Sequence, residues 1–487
     1  MTWGFYGRKI ELARLQEILS RKRWFFVKVI GRRRIGKTTL IQQALQTTGH
    51  SKVFYVQIPD SGPAGVVSSV VDAMDTFGID PGRFVRPRSL SEFVKTISDL
   101  ARAGYVVALD EFQYFNRDRL SDFPSRLQNE VDALSADASK VPGGLLVLGS
   151  IQTEIQALLE NQSAPLFNRT TDELDLSHLD IASVIEILRT HADASPERLL
   201  FLWTLFEGVP KFYRDCYEQG VLASDREALL RKIFFESSSP LRTEADNWFL
   251  KELSGRYDVV LKYVARHEGC NNGDVTEHVR QMSQDTKEQV AGYLKILIER
   301  YRLIDRKLPV FAKPQARGGR YYIADNFLAA WLAAIANPVS AIVFSPIEKL
   351  VENASTRLRE VEGFAFEKLI AALYEERSRK GVGDFSLTSR ITGYWNSKDT
   401  EIDLVAIDEE GKRIRFGTCK RSEDRLIRDI GDFSGHIERF LRAFKPYRSW
   451  RIERIGFAPV LSPTVRKALA DVGVLAQDLA NLTDALG

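Results

Sequence analysis

The chain is poor in cysteine: 487 residues hold three, Cys216, Cys270 and Cys419, far apart, in no C-x-x-C pair and with few histidines nearby. That excludes a disulfide framework and a zinc ribbon, and it predicts a reducing, cytoplasmic setting. Net charge is nearly absent too. Lys and Arg number 68 against 65 Asp and Glu, a formal +3 that is too small for a global nucleic-acid signature, so any basic surface must be local. Long apolar runs are missing. One stretch, Phe327 to Ala336, is apolar enough to test as a membrane span, but Asn337-Pro338 breaks it well short of the roughly 20 residues a bilayer needs. It reads as a buried packing helix, and no membrane association is expected. The N-terminus, Met1-Thr-Trp-Gly-Phe-Tyr-Gly-Arg-Lys, lacks the apolar centre of a signal peptide. What remains is an ordinary globular composition, 44% hydrophobic, in a chain long enough for about three domains.

One motif stands out against this background. Gly31-Arg-Arg-Arg-Ile-Gly36-Lys37-Thr38-Thr39 fits G-x-x-x-x-G-K-[ST], between an apolar run, Trp24 to Ile30, that reads as a buried strand, and Thr38 to Leu45 at helical spacing. Strand, loop and helix are the context a phosphate-binding loop requires. The glycines let backbone N–H groups turn toward phosphates, and the helix N-terminus adds its dipole. Lys37 reaches the β/γ oxygens, and the Thr38 hydroxyl ligates Mg2+.

A second apolar run, Tyr105 to Leu109, ends in Asp110-Glu111. A carboxylate there holds the metal and the next polarises water, which assigns Asp110 to Mg2+ and Glu111 to the general base. A base at 111 argues for hydrolysis, because a chain that only binds nucleotide has no need of one. The following strand, Gly144 to Gly149, ends at Ser150 and Gln152, either of which is placed to sense the γ-phosphate. The candidate nucleotide-binding set is Gly31, Arg34, Gly36, Lys37, Thr38, Thr39 and Ser150.

Apolar strands alternate with amphipathic segments from Trp24 to Gly149, predicting an α/β unit with a helix-wrapped parallel sheet. From about 177 to 255 the periodicity is helical, as in Asp180 to Leu188 and Pro196 to Trp203, with a break at Glu207-Gly208-Val209-Pro210. This predicts a helical lid.

Gly7-Arg8 with Glu11, the Asp110-Glu111 pair, Pro165-Leu-Phe-Asn-Arg169 and Gly208-Val209-Pro210 together resemble the archaeal-type ATPases, a branch of the STAND group of AAA+-like P-loop ATPases. The likeness spans about half the chain. It implies ATP as the nucleotide, and it implies Arg169 as the arginine that stabilises charge on the γ-phosphate in a neighbouring subunit of a homo-oligomer. The family usually has Glu after Gly-Arg, where this chain has Lys9.

Residues 255–325 read as a winged helix-turn-helix. Helices are expected over 259–265, 274–279 and 286–300, and strands near 303–306 and 320–323, with a wing carrying Lys307, Lys313, Arg317 and Arg320. Such a domain serves either to contact double-stranded DNA or to pack against a protein.

After a linker, a C-terminal α/β unit is expected. Glu362 to Ile370 reads as helix, Phe385 to Trp395 as extended, and Thr400 to Ile407 and Arg413 to Lys420 as strands. A helix and the strand Arg454 to Val460 follow. This order resembles the PD-(D/E)XK nuclease fold, in which a helical Glu, a strand Asp and a Glu-x-Lys gather metals. Glu367, Asp403 and Lys420 match in position, but Thr418 stands where the family has a carboxylate, and a neutral hydroxyl is a weak Mg2+ ligand. Glu401 and Glu423 are the displaced alternatives. Glu401 is assigned to the opposite face of its strand and Glu423 lies beyond the strand end.

The expected organisation is a P-loop ATPase core over 1–176, a helical lid over 177–254 and a winged helix-turn-helix over 255–336. A linker follows at 337–357, and a restriction-endonuclease-like domain at 358–487. The expected function is a cytoplasmic ATPase switch that presents its C-terminal domains to DNA or to a partner protein. The alternatives are an ATP-regulated nuclease and a DNA-binding regulator without cutting activity.

Overall fold

The computed structural model describes residues 2–150, 152–245, 253, 257–282, 286–396 and 399–486, with backbone only at Gln152 and Thr153. Parts of the segments read as lid and winged helix-turn-helix therefore lie outside the described residues, as does the Gln152 side chain. Two compact units are present: Phe5–Leu179, and Asp180–Gly487 with the first four residues.

In the first unit β1 (Phe25–Ile30), β2 (Val53–Gln57), β3 (Val106–Asp110), β4 (Gly144–Gly149) and β5 (Asp172–Asp175) form one sheet in the order β2-β3-β4-β1-β5, parallel throughout. β1, β3 and β4 are buried along their whole length. Strands covered on both faces need no polar alternation, which is why these three read as continuous apolar runs. The polar exceptions are Asp110 at the end of β3 and Lys28 within β1, whose ammonium is held 2.6 Å from Glu160 and 2.9 Å from Glu173. Crossover helices Lys37–Thr47, Pro63–Thr76, Leu90–Arg102 and Asp122–Ala136 pack their apolar stripes on the sheet. The carboxyl ends of β1 and β3, where open α/β sheets bind ligands, carry the phosphate loop and Asp110.

The second unit begins with helices Ile181–His191, Pro196–Phe206, Pro210–Glu218 and Arg226–Leu230. The break foreseen at Gly208 to Pro210 falls between two of them, with Glu207 in a left-handed conformation at φ 49° and Pro210 opening the next helix. Helices Tyr257–Arg266, Asn272–Met282 and Lys287–Glu299 follow, with β6 (Cys270–Asn271), β7 (Ile304–Lys307) and β8 (Arg320–Ile323) in a small antiparallel sheet of order β6-β8-β7. Thr286 and Gln289 cap the third of these helices reciprocally. Phe327 to Leu332 are buried in helix Asn326–Ala330 and the π-helical turn after it. Among the described residues no helix is long and apolar enough to cross a membrane.

The expected linker at 337–357 is largely helical. Residues 337–340 finish helix Ala336–Ser340, and helix Ile347–Lys380 starts after Pro346 and runs 34 residues. Leu350, Val351, Ala354, Leu358 and Val361 form a buried stripe continuous with Ala365, Phe366 and Leu369. That helical period was present in the sequence but hidden among charged neighbours. This helix also caps the first one of the unit. The Glu376 carboxylate accepts the N–H groups of Ile181 at 2.7 Å and Ala182 at 3.1 Å.

The C-terminal part is a mixed sheet of β9 (Thr392–Trp395), β10 (Glu401–Asp408), β11 (Arg413–Cys419), β12 (Arg451–Phe457) and β13 (Leu475–Gln477), ordered β13-β12-β11-β10-β9. Of the extended run expected over 385–395, only Thr392–Trp395 pairs as a strand. Upstream, the Thr388 N–H reaches the Ile407 carbonyl at 2.9 Å. Val405, Ile407, Ile414 and Phe416 pack on Phe433, Ile437 and Phe440 of helix Glu423–Ala443. On β11 the Arg415 side chain is fully buried. Glu453 takes it at 2.6 and 2.8 Å, Asp384 at 2.7 Å and the Tyr374 hydroxyl at 3.0 Å.

Candidate nucleotide site and a second carboxylate cluster

The phosphate loop leaves β1 through Gly31 at φ 152° and enters its helix through Gly36 at φ 97°. A Cβ on Gly31 would meet the Leu176 carbonyl at 2.6 Å, so no other residue fits there without displacing backbone. Arg34 holds a left-handed conformation at φ 65° and Thr39 is exposed on the first turn. Lys37 is buried and donates to the loop carbonyls of Gly31 at 2.8 Å and Arg32 at 3.1 Å. Burial lowers its pKa and the Asp110 charge works against that shift. Its ammonium thus closes the loop on itself and is positioned to exchange those carbonyls for phosphate oxygens.

Thr38 donates to Asp110 Oδ2 at 3.2 Å, bringing the two expected Mg2+ ligands together across the sheet. The Tyr55 hydroxyl donates to the same oxygen at 2.7 Å, and the Glu111 N–H to Oδ1 at 2.8 Å. Burial first, then Asp110, raise the Tyr55 pKa, so the phenol stays a donor. A hydroxyl and a carboxylate meeting beside a lysine-filled loop are the hard oxygen donors Mg2+ takes, and Thr38 and Asp110 are the residues that would hold it. Bound there, Mg2+ would neutralise charge on the phosphate oxygens.

Glu111 sits in a left-handed conformation at φ 54°, a strain of about 1–3 kcal/mol for a non-glycine residue. Its carboxylate accepts from Ser150 Oγ at 2.9 Å and from the Gln113 amide, which also donates to Ser150 at 3.3 Å. Ser150 therefore holds the candidate base and places it at the end of β4. Tyr55 and Gln113 escaped the sequence reading. Tyr55 was visible only as a polar tip in an otherwise apolar strand, and Gln113 as an amide two residues beyond the carboxylate pair. Arg8, at φ 59°, donates to the Ile35 carbonyl at 3.3 Å, to Ser177 O and to Glu11 at 3.2 Å, which ties the Gly7-Arg8 segment to the loop. Arg169 makes a two-pronged bond with Asp132, at 2.7 and 3.0 Å, and donates to the Phe167 carbonyl.

A second cluster lies in the other unit. Glu367 on the long helix, Asp403 on β10 and Lys420 just past β11 share one electrostatic neighbourhood. The Lys420 ammonium is 3.7 Å from Asp403 and 3.8 Å from Asp429. Asp403 Oδ2 accepts the Thr418 hydroxyl at 3.1 Å and the Cys419 N–H at 2.8 Å. Burial raises the pKa of both carboxyls, and the charge of Asp403 adds to the rise at Glu367. Thr418 thus spends its hydroxyl on a carboxylate oxygen. Glu423 accepts the Ser462 N–H at 2.7 Å, away from this cluster. The face assigned to Glu401 needs correction. Two residues before Asp403, it belongs on the same side of the pleat, its charge contributes to the raised pKa of Glu367, and its carboxylate pairs with Arg320 at 2.5 Å.

Residues 5–211 match a family model described as an ATPase domain predominantly from Archaea. Residues 331–430 match one described as Archaea bacterial proteins of unknown function. An uncharacterized protein of Methanocaldococcus jannaschii is 23% identical over 440 residues, covering 88% of this chain and 90% of its own. Among solved structures, the Walker-type ATPase of Pyrococcus abyssi aligns at TM-score 0.51 and 17% identity, over 67% of this chain and 96% of that one. The ORC2 protein of Aeropyrum pernix, in ADPNP–ADP complexes, aligns at TM-score 0.46 and 16% identity, over 74% and 97%. The Pyrococcus likeness is one of fold. With the domain match and the loop geometry, residues 5–211 are an ATPase domain with a phosphate-binding loop.

Proposed function

We propose that the protein is an ATP-hydrolysing switch whose nucleotide state sets the affinity of residues 180–487 for double-stranded DNA or for a partner protein. The observation that carries the hydrolysis half is the joining of Thr38 and Asp110 beside Lys37, with Glu111 held by Ser150 at the neighbouring strand end. ATP binds through Gly31, Arg34, Gly36, Lys37, Thr38 and Thr39. Mg2+ is held at Thr38 and Asp110, and Glu111 takes the proton of the attacking water. Ser150 passes the state of the γ-phosphate to Glu111. Arg169 acts between subunits of a homo-oligomer after leaving Asp132. The setting is cytoplasmic.

The DNA half rests on the order helix, β6, helix, helix, β7, β8, which is that of a winged helix-turn-helix, with exposed Lys313 and Arg317 between the last two strands. The C-terminal sheet is read as a PD-(D/E)XK-like domain kept for binding. A second reading, an ATP-regulated nuclease, is favoured by the gathering of Glu367, Asp403 and Lys420 despite Thr418. The test is duplex affinity of Glu111→Gln by fluorescence anisotropy with ATP and with ADP at fixed salt. An affinity differing at least fivefold between the nucleotides supports coupling. Equal affinities would remove it, since linkage requires each ligand to sense the other.

A further inference from the structure

The segment between β7 and β8 is docked onto the C-terminal sheet of its own unit. The Val310 N–H donates to the Gly393 carbonyl of the edge strand β9 at 2.9 Å, and the Trp395 indole donates to the Gly318 carbonyl at 2.9 Å. Arg320 lies over the Trp395 ring at 4.7 Å and pairs with Glu401. Phe311 stacks on Tyr447, centroids 5.0 Å apart, and meets Phe444 and Phe440 at 5.2 and 6.3 Å. Two features make this dock releasable. Phe311 keeps 43% of its surface exposed, and it holds a left-handed backbone at φ 65° that a bulky side chain rarely adopts.

The dock occupies a group that a phosphate backbone would use: Arg320 is spent on Glu401 and Trp395. Glu401 is in turn held by a cation from outside its own sheet. We propose that the β7–β8 segment is a latch: docked, it withholds Arg320 and covers the β9 edge; released, it offers Arg320, beside the exposed Lys313 and Arg317, to the phosphate backbone of duplex DNA. This rests on the DNA reading above and adds a closed state to it. Duplex and sheet edge then compete for one hairpin, so apparent affinity is reduced by the fraction of molecules that are latched.

The test uses the full chain, with Phe311→Ala and Trp395→Ala, both of which belong to the unit that does not contain the phosphate loop. Hydrogen exchange at Val310 is followed beside duplex anisotropy, with ATP turnover and circular dichroism as controls on folding. Faster exchange at Val310 and about tenfold tighter duplex binding in both variants is the expected result. Exchange unchanged in both would overturn the latch. Faster exchange with unchanged or weaker duplex binding would overturn the competition. If no form binds duplex, faster exchange still records a released latch and it is the DNA reading that fails.

Discussion

The two carboxylate sites of this chain share ingredients and differ in completeness. Around the phosphate loop, Asp110 is presented by a hydroxyl from Thr38 and a phenol from Tyr55, Lys37 is satisfied by two backbone carbonyls, and Glu111 has its own supports. In the C-terminal cluster, Asp403 already accepts Thr418 and Cys419, and Glu401 is drawn to Arg320. In the first arrangement each polar group is held by neutral hydroxyls, amides or carbonyls. The second has its charges neutralised internally. A site's chemistry depends less on having the right residue types than on what those residues are already bonded to.

The largest expected effect breaks the complete site. Lys37→Ala should lower ATP turnover by about 10²–10³-fold, read by phosphate release, because the buried ammonium that bonds the Gly31 and Arg32 carbonyls is removed from the loop. Next comes Arg415→Leu, which takes a fully buried guanidinium away from Glu453, Asp384 and the Tyr374 hydroxyl while Arg413 and Arg451 still pair with Glu453. It should cost about 1–3 kcal/mol by chemical denaturation, with ATP turnover retained by the first unit. Thr418→Glu sharpens the comparison from the other side. A second carboxylate beside Asp403 should lower the melting temperature in chelator, and millimolar Mg2+ should restore it.

Glu268 supplies a pH test. Burial pushes its carboxyl up to about 7 from 4.5, with Lys368 and Lys307 opposing. The folded chain therefore holds more protons than the unfolded chain between those values. Stability is highest below the unfolded pKa and falls as pH rises toward 7, by at most about 2–3 kcal/mol. Glu268→Gln should flatten that slope in urea midpoints measured at pH 5 and pH 8. The smallest effect is Tyr55→Phe, where loss of one bond to Asp110 should slow turnover several-fold, about 1 kcal/mol.

The nucleotide site was legible because its chemistry is local: Gly31 to Thr39 is one loop, and Asp110-Glu111 closes one strand. Its supports were not, since Tyr55 reaches Asp110 only through the β2–β3 pairing, and Gln113 joins Glu111 to Ser150 only because β3 lies beside β4. The strands expected near 303–306 and 320–323 lie within a residue of β7 and β8, whereas the helix that begins at Ile347 was hidden because charged side chains mask its apolar stripe. Glu401 was put on the wrong face although a period of two places it beside Asp403. Its pairing with Arg320 joins residues 81 apart, and no local pattern announces it.

Confinement of the hydrolytic chemistry to the first unit is read by measuring phosphate release and supercoiled-plasmid nicking in the same reaction, with Mg2+ or Mn2+ and ATP, for the unaltered chain, Glu111→Gln and Asp403→Ala. Phosphate release should be lost in Glu111→Gln and kept in Asp403→Ala, with plasmid intact throughout. Nicking by the unaltered chain that disappears in Asp403→Ala, or phosphate release that survives Glu111→Gln, would contradict it.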